Sequence, residues 1–348
     1  MKFRLLAHTG IYVSELCLGA MTFGGTGLFK AIGTLGQTEA DALVHRSLDA
    51  GINFFDTANV YSTGTSEEML GKALGARRRD SIVATKVRGR MGDGPNDIGL
   101  SRVHIMQQCD DSLRRLGTDY IDLYQIHGHD PVTDIEETLD ALDSLVRAGK
   151  VRYIGCSNLA AWQLMKALGI SRQRGLAEFI STQSYYSIAG RELERDIIPL
   201  VEDQQIAVLP WSPLAGGFLS GKFTRDAESD PDARRVAFDF PPVNKDRGYD
   251  IIDVMRDIAT THDVSVAQIA LAWLLDQPAV TSVIIGAKRI DQLNDNLGSI
   301  EVALTDDDLD RLNTVSALPP EYPGWMQAMQ HSDRAPGTAR DWEVFTKK

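Results

Sequence analysis

The stretch GINFFDTANVYSTGTSEEML, residues 51–70, holds the clearest structural signal in this chain. Ile52, Phe54 and Phe55 make a short apolar run with the length and bulk of a buried strand. The run ends in Asp56, and Tyr61 follows in the next turn. Gly64 and Ser66 then punctuate the chain before a helical pattern that starts near Glu67. Strand, turn and helix in that order make one β/α unit. The unit offers a carboxylate and a phenol at the carboxyl end of a strand, where parallel α/β folds place their chemistry. The pair alone also suits an Asp that caps the next helix and a Tyr that closes a core.

The same unit recurs along the chain. Apolar runs at 16–19, 52–55, 82–85, 121–126, 153–155, 179–182, 207–209 and 282–285 read as strands. Amphipathic patterns at 38–50, 103–116, 134–148, 193–203, 250–261 and 266–276 read as helices. Eight strands with helices between them imply a parallel sheet, and eight is the number that closes as a (β/α)8 TIM barrel. Residues 2–6 and 12–14, around Thr9-Gly10, predict an N-terminal β-hairpin placed to plug the amino-terminal mouth. Connections at 21–36, 87–99 and 214–248 are longer than a scaffold needs. All three follow strands, so they are expected to build pockets on the catalytic face. The barrel is expected to span 1–316. The polar tail, 317–348, carries Pro319, Pro320, Pro323 and Pro336 and is expected to be irregular, docked on the barrel by Trp325 and Trp342.

Charge narrows the partners. The net charge of −12 disfavours nucleic acid and anionic membrane surfaces. No apolar run approaches the ~18 residues of a membrane span, and the first residues lack the apolar core of a signal peptide. Cys17, Cys109 and Cys156 are odd in number, widely spaced and set in apolar or helical patterns. They predict buried reduced thiols and a cytoplasmic setting, without metal-ligand spacing.

Two further residues join Asp56 and Tyr61. Lys86 follows the third strand candidate in IVATK, and His127 follows the fourth in DLYQIH. A surface lysine and a core histidine are the plain alternatives for each alone. Together the four make a proton donor. A free Tyr titrates near ~10. An ammonium ~4 Å away favours the phenolate by roughly 4 kcal/mol at an effective dielectric of ~20, or about 3 pKa units before desolvation pushes back. Asp56 is expected to hold Lys86 charged, and His127 to hydrogen-bond the substrate oxygen that Tyr61 protonates. The set suits reduction of a carbonyl, where negative charge develops on one oxygen. It suits hydrolysis poorly, because it contains no evident nucleophile.

At these residues the chain resembles an aldo-keto reductase. GINFFDTANVYSTGTSEEMLGKAL resembles the family's G-x-x-x-x-D-T-A-x-x-Y-x-x-x-x-S-E pattern, IVATKV the strand with its lysine, and DYIDLYQIHGHD the strand with its histidine. GKVRYIGCSN, STQSYYS, LPWSPLAGGFLSGKF and IIGAKRIDQLNDN resemble the later cofactor segments in order. The resemblance runs from about Leu16 to Leu312. It implies a hairpin-preceded barrel and NADPH-dependent carbonyl reduction, with Tyr61 as general acid, Lys86 and Asp56 tuning it, and His127 orienting the carbonyl. The similarity extends to potassium-channel beta subunits, so the alternative is a cofactor-binding regulatory module on the same scaffold.

The later segments suit a nicotinamide dinucleotide. Ser157, Asn158 and Gln183 offer donors and acceptors to a carboxamide. Trp211 offers a flat platform, where the family usually has tyrosine or phenylalanine. Ser212, Leu214 and Gly216 begin a turn-rich loop with exposed amides, to which Lys222 adds charge. Gly286 to Asn296 reads as a turn into a helix start, which favours phosphate. Lys288 and Arg289 there argue for NADP(H). Gln292 stands where many members have arginine, and Asn296 resembles the family's adenine-binding asparagine. No early glycine-rich fingerprint supports a Rossmann domain. Phe23, Phe29, Arg88 and His129 are expected to line the pocket for a small carbonyl substrate. The patterning carries no signal for oligomeric state.

Overall fold

Two short strands open the chain: β1 (Phe3–Leu5) and β2 (Tyr12–Ser14) pair antiparallel, with Phe3 opposite Ser14. Eight more follow in the computed structural model, which describes residues 1–225, 235 and 238–334. They are β3 (Leu16–Gly19), β4 (Phe54–Asp56), β5 (Ile82–Val87), β6 (Ile121–Ile126), β7 (Val151–Ser157), β8 (Phe179–Tyr185), β9 (Ala207–Trp211) and β10 (Val283–Ile285). All pair parallel, in the order β10-β3-β4-β5-β6-β7-β8-β9. The ring closes at a parallel bridge between Val208 and Val280, where the Thr281 amide donates to the Val208 carbonyl at 2.9 Å. Helices such as Gln37–Asp49, Thr65–Leu74, Arg102–Leu116 and Ile135–Arg147 alternate with the strands, giving a (β/α)8 barrel with an N-terminal hairpin.

Strand alternation sorts the side chains. Cys17, Phe54, Ala84, Leu123, Leu209 and Ile284 fill the lumen, joined by Leu6 and Val13 of the hairpin segment. The hairpin therefore plugs one mouth. Arg4 fastens it by donating to the Val280 and Leu275 carbonyls, each at 2.6 Å. The alternate residues Leu18, Phe55, Val83, Tyr124 and Ile154 join the larger core shared with the helices. With both faces buried, each strand reads as a continuous apolar run.

Several strands extend further than their apolar runs. β5 continues through Lys86 and Val87, β7 through Ser157, β8 through Gln183 and Tyr185, and β9 through Trp211. Lys86, Ser157 and Gln183 among the added residues bring polar groups to the open end of the lumen, where hydrophobic patterning has no signal, while Val87 and Cys156 join the outer core. The helix expected at 193–203 is interrupted: a 3-10 turn, Glu192–Glu194, precedes the helix Ile197–Gln204. The helix expected from 250 starts earlier, as Lys245–His262, because the Asn244 side chain caps it by accepting from the Arg247 amide at 3.2 Å.

Chain contacts divide the molecule into two units, Met1–Ser316 and Ala317–Lys348. The second was expected to be irregular, yet it contains a helix, Gly324–Arg334. Pro319, Pro320 and Pro323 all precede that helix, where proline costs no internal hydrogen bond. Trp325 packs edge-on against Tyr322 with ring centres 6.1 Å apart; Pro336 and Trp342 lie outside the described residues. All three cysteines are free and buried. No single helix among the described residues is long and apolar enough to cross a membrane.

Helix Thr65–Leu74 packs so tightly on helix Arg102–Leu116 that a Cβ at Gly71 would lie 2.3 Å from the Leu116 carbonyl oxygen. Alanine favours a helix by about 0.5–1 kcal/mol over glycine, but overpacking costs about 1–3 kcal/mol. Gly71→Ala is therefore expected to lower Tm. A variant as stable as the parent in thermal denaturation would contradict this account of the contact.

Candidate active site

Six strands bring polar groups to the end of the lumen opposite the hairpin. Asp56 ends β4, Lys86 lies one residue from the end of β5, and Gln125 lies in β6 directly across from Lys86. His127 follows β6; Ser157 of β7 and Gln183 of β8 are register partners, and Trp211 ends β9. Alternation places Asp56, Lys86 and Gln125 one layer above Phe54, Ala84 and Leu123. They sit on the apolar plug, with the mouth open above them.

Lys86 is fully buried, and each of its N–H bonds has an acceptor. Its ammonium donates to Asp56 Oδ1 at 2.5 Å, to the Thr57 carbonyl at 2.8 Å and to Tyr61 Oη at 3.3 Å. Burial works against this charge, but Asp56 and then Tyr61 outweigh it and hold the Lys86 pKa above the ordinary lysine value. Asp56 in turn accepts on Oδ2 from Gln183 Nε2 at 2.8 Å and from Gln125 Nε2 at 3.3 Å. A buried ion pair is tolerable only when such bonds satisfy its remaining lone pairs.

Tyr61 stands in the turn after β4. The next two residues, Ser62 (φ 49°) and Thr63 (φ 54°), are left-handed, at a cost of about 1–2 kcal/mol each. Ser62 helps to hold that backbone: its Oγ donates to the Phe23 carbonyl and accepts from the Gly25 amide, both at 3.0 Å. The Tyr61 ring then lies edge-on to Phe29 at 5.2 Å and to His127 at 5.6 Å. Burial, then the positive charges of Lys86 and Arg88, push the His127 pKa down to about 3. His127 is therefore neutral at physiological pH, with one ring nitrogen able to donate and the other to accept.

Two supports escaped the sequence reading. Glu67 is fully buried, accepting from Thr85 Oγ1 at 2.5 Å and Arg115 Nε at 2.6 Å. It braces β5 just before Lys86 against helix Arg102–Leu116. Gln125 is the other. Its signal was present: one amide in the apolar run IDLYQI, two residues before His127 and hence on the same face.

The later residues assemble beside this group. Ser157 Oγ donates to the Gln183 carbonyl at 2.7 Å and accepts from Asn158 Nδ2 at 2.9 Å. Asn158, left-handed at φ 55°, also donates to the His127 carbonyl at 3.2 Å and accepts from Trp211 Nε1 at 3.0 Å. The Asp56 carboxylate only accepts, so the Gln183 amide nitrogen must face it and Oε1 turns away. Hydroxyl and amide groups thus converge at the mouth, a donor set that fits a carboxamide. Trp211 is a less open platform than expected, because Phe240 stacks on its indole at 5.7 Å and 11°. Ser212 (φ 50°), Leu214 and Gly216 (φ 67°) form a tight turn ahead of exposed Lys222. Arg235 Nη1 ties that turn by donating to the Ala215 carbonyl at 2.6 Å.

Gly286 and Lys288 lead into the helix Ile290–Gly298. Gln292 Oε1 accepts from the Lys288 amide at 2.9 Å, and Asn296 Nδ2 donates to the Gly286 carbonyl at 3.3 Å. Arg289 is engaged by Asp291, donating through Nε at 3.0 Å and Nη2 at 2.9 Å. The Asp291 pKa is lowered first by Arg289 and also by backbone amides of the first helical turn.

The pocket residues separate. Phe29 and Arg88 border Tyr61 and His127, and Arg88 Nε donates to the His129 carbonyl at 2.8 Å. His129 lines a cavity of about 320 Å³ with Asp130, Val132, Leu159, Trp162 and Lys166. That cavity backs onto Ile126, whose side chain faces away from the lumen. Phe23, expected in the pocket wall, is fully buried in the outer core with Leu18, Leu35 and Leu43. The loop folds back in a bridge between Phe23 and Leu35, which turns the ring inward.

Residues 15–317 match the aldo/keto reductase family. The chain is 37% identical to "Uncharacterized oxidoreductase YrpG" of Bacillus subtilis, over 93% of this chain and 100% of that protein. It is 33% identical to versiconal hemiacetal acetate reductase of Aspergillus parasiticus, over 93% and 99%. It is 35% identical to a "Probable voltage-gated potassium channel subunit beta" of Oryza sativa, over 92% and 98%. A family match that spans residues 15–317, most of the chain, makes this chain a member of the aldo/keto reductase family.

Proposed function

We propose that this protein is an NADP(H)-dependent oxidoreductase that reduces aldehydes or ketones to alcohols. The observation that carries the reading is the Lys86 ammonium, held at 2.5 Å by Asp56 and at 3.3 Å from Tyr61 Oη, beside a neutral His127. The nicotinamide cofactor supplies the hydride. Tyr61 gives its proton to the carbonyl oxygen, and Lys86 stabilises the phenolate left behind. Asp56 keeps Lys86 charged and aimed. His127 donates a hydrogen bond to the same oxygen, where negative charge develops. Ser157, Asn158 and Gln183 would hold the carboxamide, Trp211 the ring, the 212–222 turn the pyrophosphate, and Gly286 to Asn296 the adenosine end. The buried free thiols suit a reducing, cytoplasmic setting.

A panel of aldehydes, ketones and sugars, assayed with NADPH and NADH side by side, tests this reading. Turnover of at least one carbonyl class, faster with NADPH, is the expected result. Failure across the panel removes the reductase assignment. The relatives named as potassium channel subunits favour a regulatory module as the second reading. Tight NADP(H) binding without turnover, with a partner that co-purifies, would select it.

Asp291 gives a separate handle on cofactor choice. Its carboxylate engages Arg289 and the first helical turn, where a 2′-phosphate would bind. Asp291→Asn is expected to tighten NADPH binding about three- to ten-fold, by removing a like charge and releasing Arg289. NADH, without that phosphate, should shift less than two-fold. Fluorescence titration of both cofactors checks this, and equal shifts would place the phosphate elsewhere.

A further inference from the structure

Gln125 is fully buried, yet its environment treats its two polar atoms unequally. Nε2 donates to Asp56 Oδ2 at 3.3 Å, while Oε1 has no hydrogen-bond partner among the described residues. A side chain present only to fill space would leave no buried carbonyl unpaired; leucine or methionine fills the same volume without that penalty. The amide is therefore explained by its donor. A second amide, from Gln183, shares the same oxygen at 2.8 Å. Gln183 also stands in the polar cluster with Ser157 and Asn158 at the mouth, whereas Gln125 lies opposite Lys86, deeper in the lumen.

We infer that Gln125 is a positioning residue for the proton donor: it holds Asp56 Oδ2 and offsets part of that carboxylate's charge, so that Tyr61 releases its proton readily. This rests on the reductase reading above. Around the Asp56–Lys86 pair that the amide joins stand Tyr61 after β4, His127 after β6 and Cys17 of β3, with Arg88 beyond β5 acting on His127. Burial and the Asp56 charge keep Cys17 a neutral thiol, and His127 is neutral. The balance therefore lies among Asp56, Lys86 and Tyr61, with Arg88 acting on His127.

The sign follows from the dipole. The Gln125 N–H presents its positive end to Asp56. Without it, the carboxylate acts more strongly on Lys86 and Tyr61, and the donor holds its proton more tightly. Reduction uses the protonated donor, so activity persists below the donor's pKa and fades above it.

Gln125→Met, close in shape and lacking the N–H, is the test, with Gln125→Leu as a second variant against misfolding. The alkaline limb of kcat for reduction is expected to move up by about one pH unit or less, with kcat lower by about three- to ten-fold and KM for the carbonyl within two-fold. The near-ultraviolet titration of Tyr61, taken as the difference between the parent and Tyr61→Phe, should move in the same direction in cofactor-free protein. An alkaline limb that stays in place or moves down in a folded variant overturns the assignment. An inactive parent would instead overturn the reductase reading, and the Tyr61 titration separates the two failures.

Discussion

Tyr61→Phe is expected to lower kcat for carbonyl reduction by about 10²–10⁴-fold, the range that a positioned general acid supplies. The substitution removes one oxygen and leaves the ring in contact with Phe29 and His127. The Lys86 ammonium loses its 3.3 Å acceptor but keeps Asp56 Oδ1 and the Thr57 carbonyl. Folding should therefore change little, by about 1 kcal/mol or less, since the lost bond is the longest of the three. Cofactor affinity should stay within two-fold, because the substitution leaves the hydrogen bonds of Ser157, Asn158 and Gln183 in place. Steady-state kinetics, a cofactor titration and a melting curve together separate chemistry from binding and folding. Turnover within two-fold of the parent would take Tyr61 out of the acid role.

Lys86→Met is the harsher change, because it removes one half of a buried ion pair. Asp56 would keep the two amide donors on Oδ2 and lose the ammonium on Oδ1. An uncompensated buried charge costs about 3–5 kcal/mol, a large share of the roughly 5–15 kcal/mol by which domains are stable. A marked fall in Tm and loss of activity at least as deep as that of Tyr61→Phe are expected. Replacing both partners separates the two effects. Lys86→Met with Asp56→Asn removes the stranded charge and should recover most of the stability, while activity stays lost because nothing stabilises the Tyr61 phenolate. A double variant no more stable than the single one would mean that shape, not charge, governs the site.

The barrel was readable because each strand is buried on both faces and each intervening helix on one. Those two conditions leave continuous apolar runs for the strands and 3.6-residue patterns for the helices, and both survive in a single sequence. Asp56, Lys86 and His127 were readable for a related reason. Each is a charged or titratable residue at the end of an apolar run, and in a parallel barrel every such end lies at the same mouth. Boundaries were less legible where strands such as β7 and β8 run on through serine and glutamine, because hydrophobic patterning does not register polar groups that line a lumen.

The pairing of buried atoms is another kind of fact. Gln125 and Gln183 stand 69 and 127 residues from Asp56 in the chain, and only ring closure puts both amides on one carboxylate oxygen. The same holds for Glu67, which joins Thr85 to Arg115, and for Phe23, a residue of a long loop that the Phe23–Leu35 bridge turns into the core. Asp291 shows it at short range: two residues from Arg289, it reads as one acid in a polar helix start until geometry reveals which cation it engages. Local chemistry along the chain thus established the barrel and the residues at its mouth. Tertiary structure alone assigned their partners, because a hydrogen bond depends on positions good to a few tenths of an ångström, and strand closure, not sequence spacing, sets those positions.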